Sequence, residues 1–345
     1  MARVLRGLLA RGVFGSADRS SWSALRLLGS RPNHSSGLVR PRGGSLRRRP
    51  RHPREPLPPQ GRARALKLAH FSDLHYDGTS ARLDSFERAL AAAIEHSADH
   101  LLIAGDLVDF SDPKHLQDMR EVLQTSGWWD PERLTILPGN HDLYRHSYAN
   151  LLRCIAGGFP SLRSTSAFFD ELFGEFMGSP IGGGAKLPSL KALTGDWHLL
   201  LLDTLVKTHR LNYLGSWRGW LDPSLSAPTL AALNDVEPKH LVVAAHHFPL
   251  PESAPNILTG TSFFEDSYRE LLELLGGLQP TPKTYLCGHI HNWEPGYPDA
   301  FDTEVVAGVP VYCQGRTGGL DGAEASWTLH QLSSEGAIES HLVKL

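Results

Sequence analysis

A chain of 345 residues with 41% hydrophobic and 21% charged side chains can bury one large or two ordinary soluble domains, and no apolar run reaches the ~18 residues of a membrane span. The net charge of −3 is unevenly spread: residues 1–65 hold 15 of the 34 basic side chains but only Asp18 and Glu55 of the 37 acidic ones, so this segment is +13 and the remainder −16. An acidic body disfavours non-specific nucleic-acid binding, which needs Lys and Arg to neutralise phosphates, and suits a protein that collects divalent cations.

The segment 1–65, with the run LVRPRGGSLRRRPRHPREPLPPQGRAR, cannot bury enough apolar surface to offset the entropy of ordering it, and disorder is expected here. Its opening part, 1–30, is rich in Arg and Ser and poor in acids, as mitochondrial presequences are. The expected cytoplasmic location therefore has a mitochondrial alternative, while Arg3, Arg6 and Arg11 break any secretory h-region. Cys154, Cys287 and Cys313 form an odd, widely spaced set that gives neither a disulfide framework nor a thiolate zinc site.

From residue 66 to the C-terminus the chain reads as one α/β domain. Leu66–Phe71 leads into Ser72-Asp73-Leu74-His75, and His100–Ala104 into Gly105-Asp106. Leu134–Leu137 leads into Pro138-Gly139-Asn140-His141-Asp142, Leu241–Ala245 into His246-His247, and Thr284–Cys287 into Gly288-His289-Ile290-His291. Five times a buried-type strand ends in a polar cluster, and ligands of α/β sheets sit beyond the carboxyl ends of strands. Between the first two strands, Phe86, Leu90, Ala93 and Ile94 recur at helical spacing over Ser85–His96, so the opening unit reads β-α-β. The stretch 143–193 is less regular, with a helical SAFFDELFGEFM and the run Gly182-Gly183-Gly184, and is expected to be a cap inserted over the site. Trp197–Leu202 reads as a further strand ending at Asp203, and residues 304–345 as late strands closing the sheet.

Asp, Asn and His suit Mn²⁺, Fe or Zn²⁺, and the lack of Cys in every cluster points away from structural zinc towards an open catalytic site. Residues of equal parity on an extended segment face the same way, so Asp73 with His75, and His289 with His291, can each present two side chains to one point.

Asp73-Leu74-His75 resembles a DxH motif, Gly105-Asp106-Leu107-Val108-Asp109 a GDxxD motif, Gly139-Asn140-His141-Asp142 a GNHD motif and Gly288-His289-Ile290-His291 a GHxH motif, with His246-His247 between the last two. In this order, over roughly residues 66–320, the set resembles the calcineurin-like metallophosphoesterase superfamily. Its compact arrangement is similar to bacterial class III cyclic-nucleotide phosphodiesterases. The resemblance implies an α/β fold, a four-layer α-β-β-α sandwich with mixed central sheets. It implies two metal ions (Mn²⁺, Fe²⁺/Fe³⁺ or Zn²⁺), one held by Asp73, His75, Asp106 and His291. The other would be held by Asp106, Asn140, His289 and a histidine of the 246–247 pair, and the family's usual placement of this ligand two residues before a Pro favours His247, ahead of Pro249, over His246. His141 is implied to face the phosphate, with Asp142 orienting it. The implied reaction is attack of a metal-bridging hydroxide on a small phosphorylated substrate, a phosphodiester. A phosphomonoesterase or protein phosphatase of the same fold and a non-catalytic metal-binding scaffold are the alternatives, and a nuclease would need a basic groove that the acidic body does not offer.

Outside the motifs, Asp109 reads equally as a site residue or as a cap for the following helix, and Asp203 is similarly open. His96, His100, His115, His146, His198, His209 and His240 are expected at the surface or at strand edges, and Trp128, Trp129, Trp217 and Trp220 in packing. Arg316, in Gly315-Arg316-Thr317-Gly318-Gly319, has the reach to approach a substrate phosphate, a role the pattern does not favour.

Overall fold

The structure, a computed structural model, describes residues 64–144, 162–182, 186–193, 196–205, 217–250, 263–290, 300–317 and 325–345. The predicted ligand His291, the Arg-rich residues 1–63, Cys154, His146 and His209 lie outside the described residues.

The five predicted strands are β1 (Leu66–Phe71), β2 (His100–Ile103), β3 (Leu134–Ile136), β7 (His240–Ala244) and β8 (Thr284–Cys287). They are joined by β4 (Ser179–Pro180), β5 (Ser189–Ala192), β6 (Trp197–Leu201), β9 (Ala300–Val306), β10 (Val309–Gln314), β11 (Ser326–Leu332) and β12 (Ile338–Lys344). One sheet has the order β12-β11-β1-β2-β3 and the other β4-β5-β6-β7-β8-β10-β9. Both are mixed: β1, β2 and β3 run parallel, as do β6, β7, β8 and β10, while β11, β12, β5 and β9 pair antiparallel.

Helix α1 (Ser80–Glu95) connects β1 to β2, and α2 (Pro113–Thr125) connects β2 to β3. The start of α2 is set by Asp112, whose side chain accepts from Lys114 N at 2.8 Å, and by Pro113 at its first position. Phe86, Leu90 and Ala93 of α1 are buried as their spacing predicts, but Ile94 is 49% exposed and Ala89 takes the inward place. Further on come α3 (Leu162–Phe173), α4 (Ser226–Val236) and α5 (Glu265–Gly277). Among the described residues no helix is long and apolar enough to cross a membrane.

Alternation along the second sheet sorts its side chains into two cores. Leu199 and Leu201 of β6, Val242 and Ala244 of β7 and Leu286 of β8 join the cluster built by β1 to β3 with Phe86 and Leu90 of α1 and Leu116 and Leu123 of α2. Leu200, Leu241, Val243 and Tyr285 face the other way, onto Leu233 of α4 and Leu271, Leu274 and Leu275 of α5. The layers are thus helices, five-stranded sheet, seven-stranded sheet, helices, as the four-layer expectation requires. Strands covered on both faces read as continuous apolar runs, and each fully buried Leu contributes about 1.5–3 kcal/mol of transfer free energy.

Of the stretch 143–193, the described part is built into this sandwich. Phe169, Phe173 and Phe176 are fully buried, Trp129 meets Phe176 at 4.5 Å between ring centroids, and β5 extends the second sheet. What is left of the expected cap, residues 145–161 and 183–185 with Gly183 and Gly184 of the glycine run, lies outside the described residues. His100 and His240 open β2 and β7, yet both are buried, with His100 Nε2 2.8 Å from Thr135 Oγ1. Trp128 packs as expected and donates to Leu90 O, whereas Trp217 is 40% exposed.

Candidate metal centre

The polar clusters meet where β1, β2, β3, β7 and β8 end. The loops after β1 and β2 run side by side, with Asp73 N donating to Gly105 O, His75 N to Asp106 O and Tyr76 N to Leu107 O, each at 3.0 Å. Asp73 and His75 do not converge by extended parity. Their φ values are 53° and 47°, and Asp106 and His289 lie at 53° and 71°, all in the left-handed region. That conformation costs a non-glycine residue roughly 1–2 kcal/mol, and it persists because the paired loops fix the backbone. Glycines let these loops touch: a Cβ at Gly139 would collide with the backbone and side chain of Asp106, and one at Gly288 with the side chains of Ser72 and Asp73.

Asp106 stands at the middle. Its Oδ1 accepts from His141 N at 2.8 Å, which turns Oδ2 into the space between His75 Nε2, at 3.7 Å, and His246 Nε2, at 3.3 Å. On one side, Asp73 Oδ1 lies 3.6 Å from His75 Nε2, while Oδ2 accepts from Ser72 Oγ at 2.6 Å and His289 N at 2.9 Å. On the other, Asn140 Oδ1 is 3.0 Å from His246 Nε2 and 3.1 Å from His289 Nδ1. Asp73, His75 and Asp106 form one group whose donor atoms all lie within 4.8 Å of one another, and Asp106, His246 and His289 form a second. All of these side chains are buried.

The outer nitrogen of each imidazole meets an oxygen. His75 Nδ1 lies 3.2 Å from Asp109 Oδ1, His246 Nδ1 2.8 Å from Ala104 O and His289 Nε2 2.8 Å from Trp217 O. A proton held on those nitrogens leaves Nε2, Nε2 and Nδ1 with lone pairs aimed into the shared space, the arrangement metal-binding histidines adopt. The donor set therefore fits two metal ions, with Asp106 common to both groups of donors. Asp109 thus acts on the site through its side chain, and its carbonyl lies 2.7 Å from His141 Nδ1.

Spacing to Pro249 favoured His247, but the structure brings His246 into the donor cluster. His246 shares the parity of Val242 and Ala244, which face the first sheet, whereas His247 follows Val243 and Ala245 to the opposite side. Its ring centroid still lies 4.4 Å from that of His289, but its Nδ1 lies 2.9 Å from Thr204 Oγ1, and among the described residues His247 joins no group of converging donors. Asp142 differs from expectation too. Placed three residues after Gly139 in the single helical turn Asn140–Leu143, its carboxylate reaches back to Gly139 N at 2.8 Å and Val108 N at 3.1 Å, tying the two loops together instead of orienting His141. His141 packs edge-on against His75, with centroids 4.6 Å apart, and is partly open to solvent. Asp203 holds a turn through Leu205 N at 3.1 Å. The carbonyls of Ala104 and Trp217 leave no mark in the pattern of side chains, and Asp109 was signalled only by the last position of its motif.

The electrostatics show a site short of positive charge. Burial opposes a proton on His75, but the hydrogen bonds to Asp109 and Asp73 and the charge of Asp106 outweigh it and raise the pKa to about 9. His246 is likewise raised to about 9, burial being overridden by Asp106. Burial, then the neighbouring His246, pushes His289 down to about 3. Against the effect of burial, His246 and His141 hold Asp106 well below the usual carboxylate range, and Asp142 rises to about 7 because it is buried next to Asp106. Two imidazoles take up protons to balance the carboxylates, a charge that divalent cations would replace.

The sequence matches the calcineurin-like phosphoesterase family over residues 66–293, about two-thirds of the chain, and the chain belongs to that family of metal-dependent phosphoester hydrolases. Among solved structures it is similar to a dimetal phosphatase from Danio rerio at 12% identity and a TM-score of 0.52, with 81% of this chain and 99% of that one covered, which shows a shared fold. It is also similar to GAP50, the anchor in the inner membrane complex of Plasmodium, at 11% identity and a TM-score of 0.42, with 81% and 85% covered. No curated protein matches the sequence.

Proposed function

We propose that this chain hydrolyses a phosphodiester, with one metal ion held by Asp73, His75, Asp106 and His291 and the other by Asp106, Asn140, His246 and His289. The observation that carries the reading is the position of Asp106 Oδ2, pinned by the bond from His141 N to Oδ1 and common to two groups of buried donors. Two metal ions bound there would supply an acidified water and neutralise phosphate charge. The remaining tasks belong to the chain's own groups. Asp109 fixes the ring of His75, and the carbonyls of Ala104 and Trp217 fix those of His246 and His289, so that lone pairs converge without reorganisation. His141, anchored by its backbone N to Asp106 and partly open to solvent, would hydrogen-bond a phosphoryl oxygen or give a proton to the leaving oxygen. The diester preference rests on the resemblance of the compact motif arrangement to class III cyclic-nucleotide phosphodiesterases, and the compartment proposed is the cytoplasm.

The test is to strip metal from the full chain and assay bis-p-nitrophenyl phosphate and p-nitrophenyl phosphate with Mn²⁺, Fe²⁺ or Zn²⁺ restored. Metal-dependent turnover with the higher kcat/KM on the diester is expected. A higher value on the monoester overturns the diester preference, and no turnover of either overturns the enzymatic reading.

A further inference from the structure

The loop after β10 reaches the metal centre at Ser72, next to Asp73. Ser72 N donates to Thr317 Oγ1 and Thr317 N donates to Ser72 O, both at 3.0 Å, and Thr317 is fully buried. These two bonds fix the backbone of the preceding residue, Arg316, at the edge of the site. The Arg316 side chain is half-buried, its Nε is shielded from solvent with no hydrogen-bond partner, and among the described residues its guanidinium makes no hydrogen bond or ion pair. Its charge is nevertheless within electrostatic reach of Asp109, Asp73 and Asp77 and of a second cation, Arg82.

A guanidinium has five N–H donors, and burying them unmet costs free energy unless a partner arrives. Each nearby carboxylate has one oxygen engaged elsewhere, Asp109 Oδ1 with His75 Nδ1 at 3.2 Å, Asp73 Oδ2 with Ser72 and His289, and Asp77 Oδ1 with Thr79, and among the described residues none of them hydrogen-bonds Arg316. A tethered Arg with open donors, beside a centre that gathers cations, has the planar fork that matches a phosphoryl group, and Arg82 adds a second positive charge on the same side.

We propose that Arg316 binds a non-bridging oxygen of the substrate phosphate at the metal centre. The assignment rests on the phosphoesterase reading of the site and adds to it a residue that decides how tightly the phosphoryl group is held. A monoester dianion concentrates more charge on those oxygens than a diester monoanion, so the guanidinium favours the dianion more strongly.

The experiment uses the metal-loaded full chain with Arg316→Ala and Arg316→Lys. Inorganic phosphate binding is measured by calorimetry, metal content by elemental analysis, and KM and kcat on both nitrophenyl esters. Arg316→Ala is expected to weaken phosphate binding at least tenfold and to raise KM by a similar factor, more for the monoester, with metal content unchanged. Arg316→Lys, which keeps the charge without the fork, is expected to fall between the two, and serves alone if the alanine variant does not fold. Phosphate affinity and KM within twofold of the unsubstituted chain, or loss of metal from either variant, overturns the proposal. If the unsubstituted chain turns over neither ester, the phosphoesterase reading fails, whereas the calorimetry still decides whether Arg316 binds phosphate.

Discussion

His100 provides a titration that reports on the buried fold away from the metal centre. It opens β2, at the end of the strand opposite the site, with Nε2 2.8 Å from Thr135 Oγ1 and Nδ1 3.2 Å from Glu132 O. Burial, and then the charge of Lys191, pushes its pKa down to about 3. In the unfolded chain the same group titrates near ~6.5, so between pH 6.5 and 3 the unfolded state holds a proton that the folded state does not. Stability from this residue is therefore present above pH 6.5 and is lost as pH falls. One pKa unit corresponds to about 1.4 kcal/mol, so the loss between pH 7 and 5 is about 2 kcal/mol, set against a typical total of about 5–15 kcal/mol. His100→Gln removes the titration while keeping an amide that can bond Thr135. Urea unfolding of both metal-free chains at pH 7 and pH 5 gives the difference directly: the stability advantage of His100 over Gln should shrink by about 2 kcal/mol on acidification. An advantage that stays the same at both pH values would refute the reasoning, because it would mean that folded His100 accepts the proton.

The other predictions concern the centre itself. Asp106→Asn should lower occupancy at both metal positions together, seen as fewer than one ion per chain by elemental analysis, since a neutral amide cannot give an anionic oxygen to each side. His141→Ala should keep both ions and reduce kcat by about 10²–10⁴-fold, and loss of metal from this variant would contradict the role given to its side chain. His246→Ala should lose metal while His247→Ala keeps it, a comparison that decides between neighbours with one calorimetric titration each. Gly139→Ala, whose Cβ would enter the space of the Asp106 loop, should lower thermal stability and metal content together, whereas Gly276→Ala, with open space around it, should do neither.

How much of this was legible in the sequence depends on what each feature is made of. The five strands that carry the site could be read because both faces of each sheet are covered, so Leu101-Leu102-Ile103 and Leu241-Val242-Val243 appear as unbroken apolar runs. The donors could be read because their residue types are costly to bury without a purpose. What could not be read is made of backbone. The choice of His246 depends on which face the end of β7 turns to the first sheet, and a histidine pair contains both answers. Fixation of His246 and His289 falls to the carbonyls of Ala104 and Trp217, which any residue type would supply.

The structure brings Asp73 and His75 together, but not through the extended conformation that the parity argument assumes, and the difference has a physical content. An extended segment would space the carboxylate and the imidazole along a strand, whereas left-handed turns at Asp73, His75 and Asp106 fold the donors of two adjacent loops back over one another. Each such turn is unfavourable for a residue with a Cβ, and three in neighbouring loops are tolerated because the loops hydrogen-bond to each other and because Gly139 and Gly288 let the chains approach. Of the seven non-glycine residues with positive φ among those described, four are donors of this centre. Strain is concentrated where charge must be concentrated: a relaxed loop would let Asp73, Asp106 and their histidines spread apart and lose the density of donors that two cations would need.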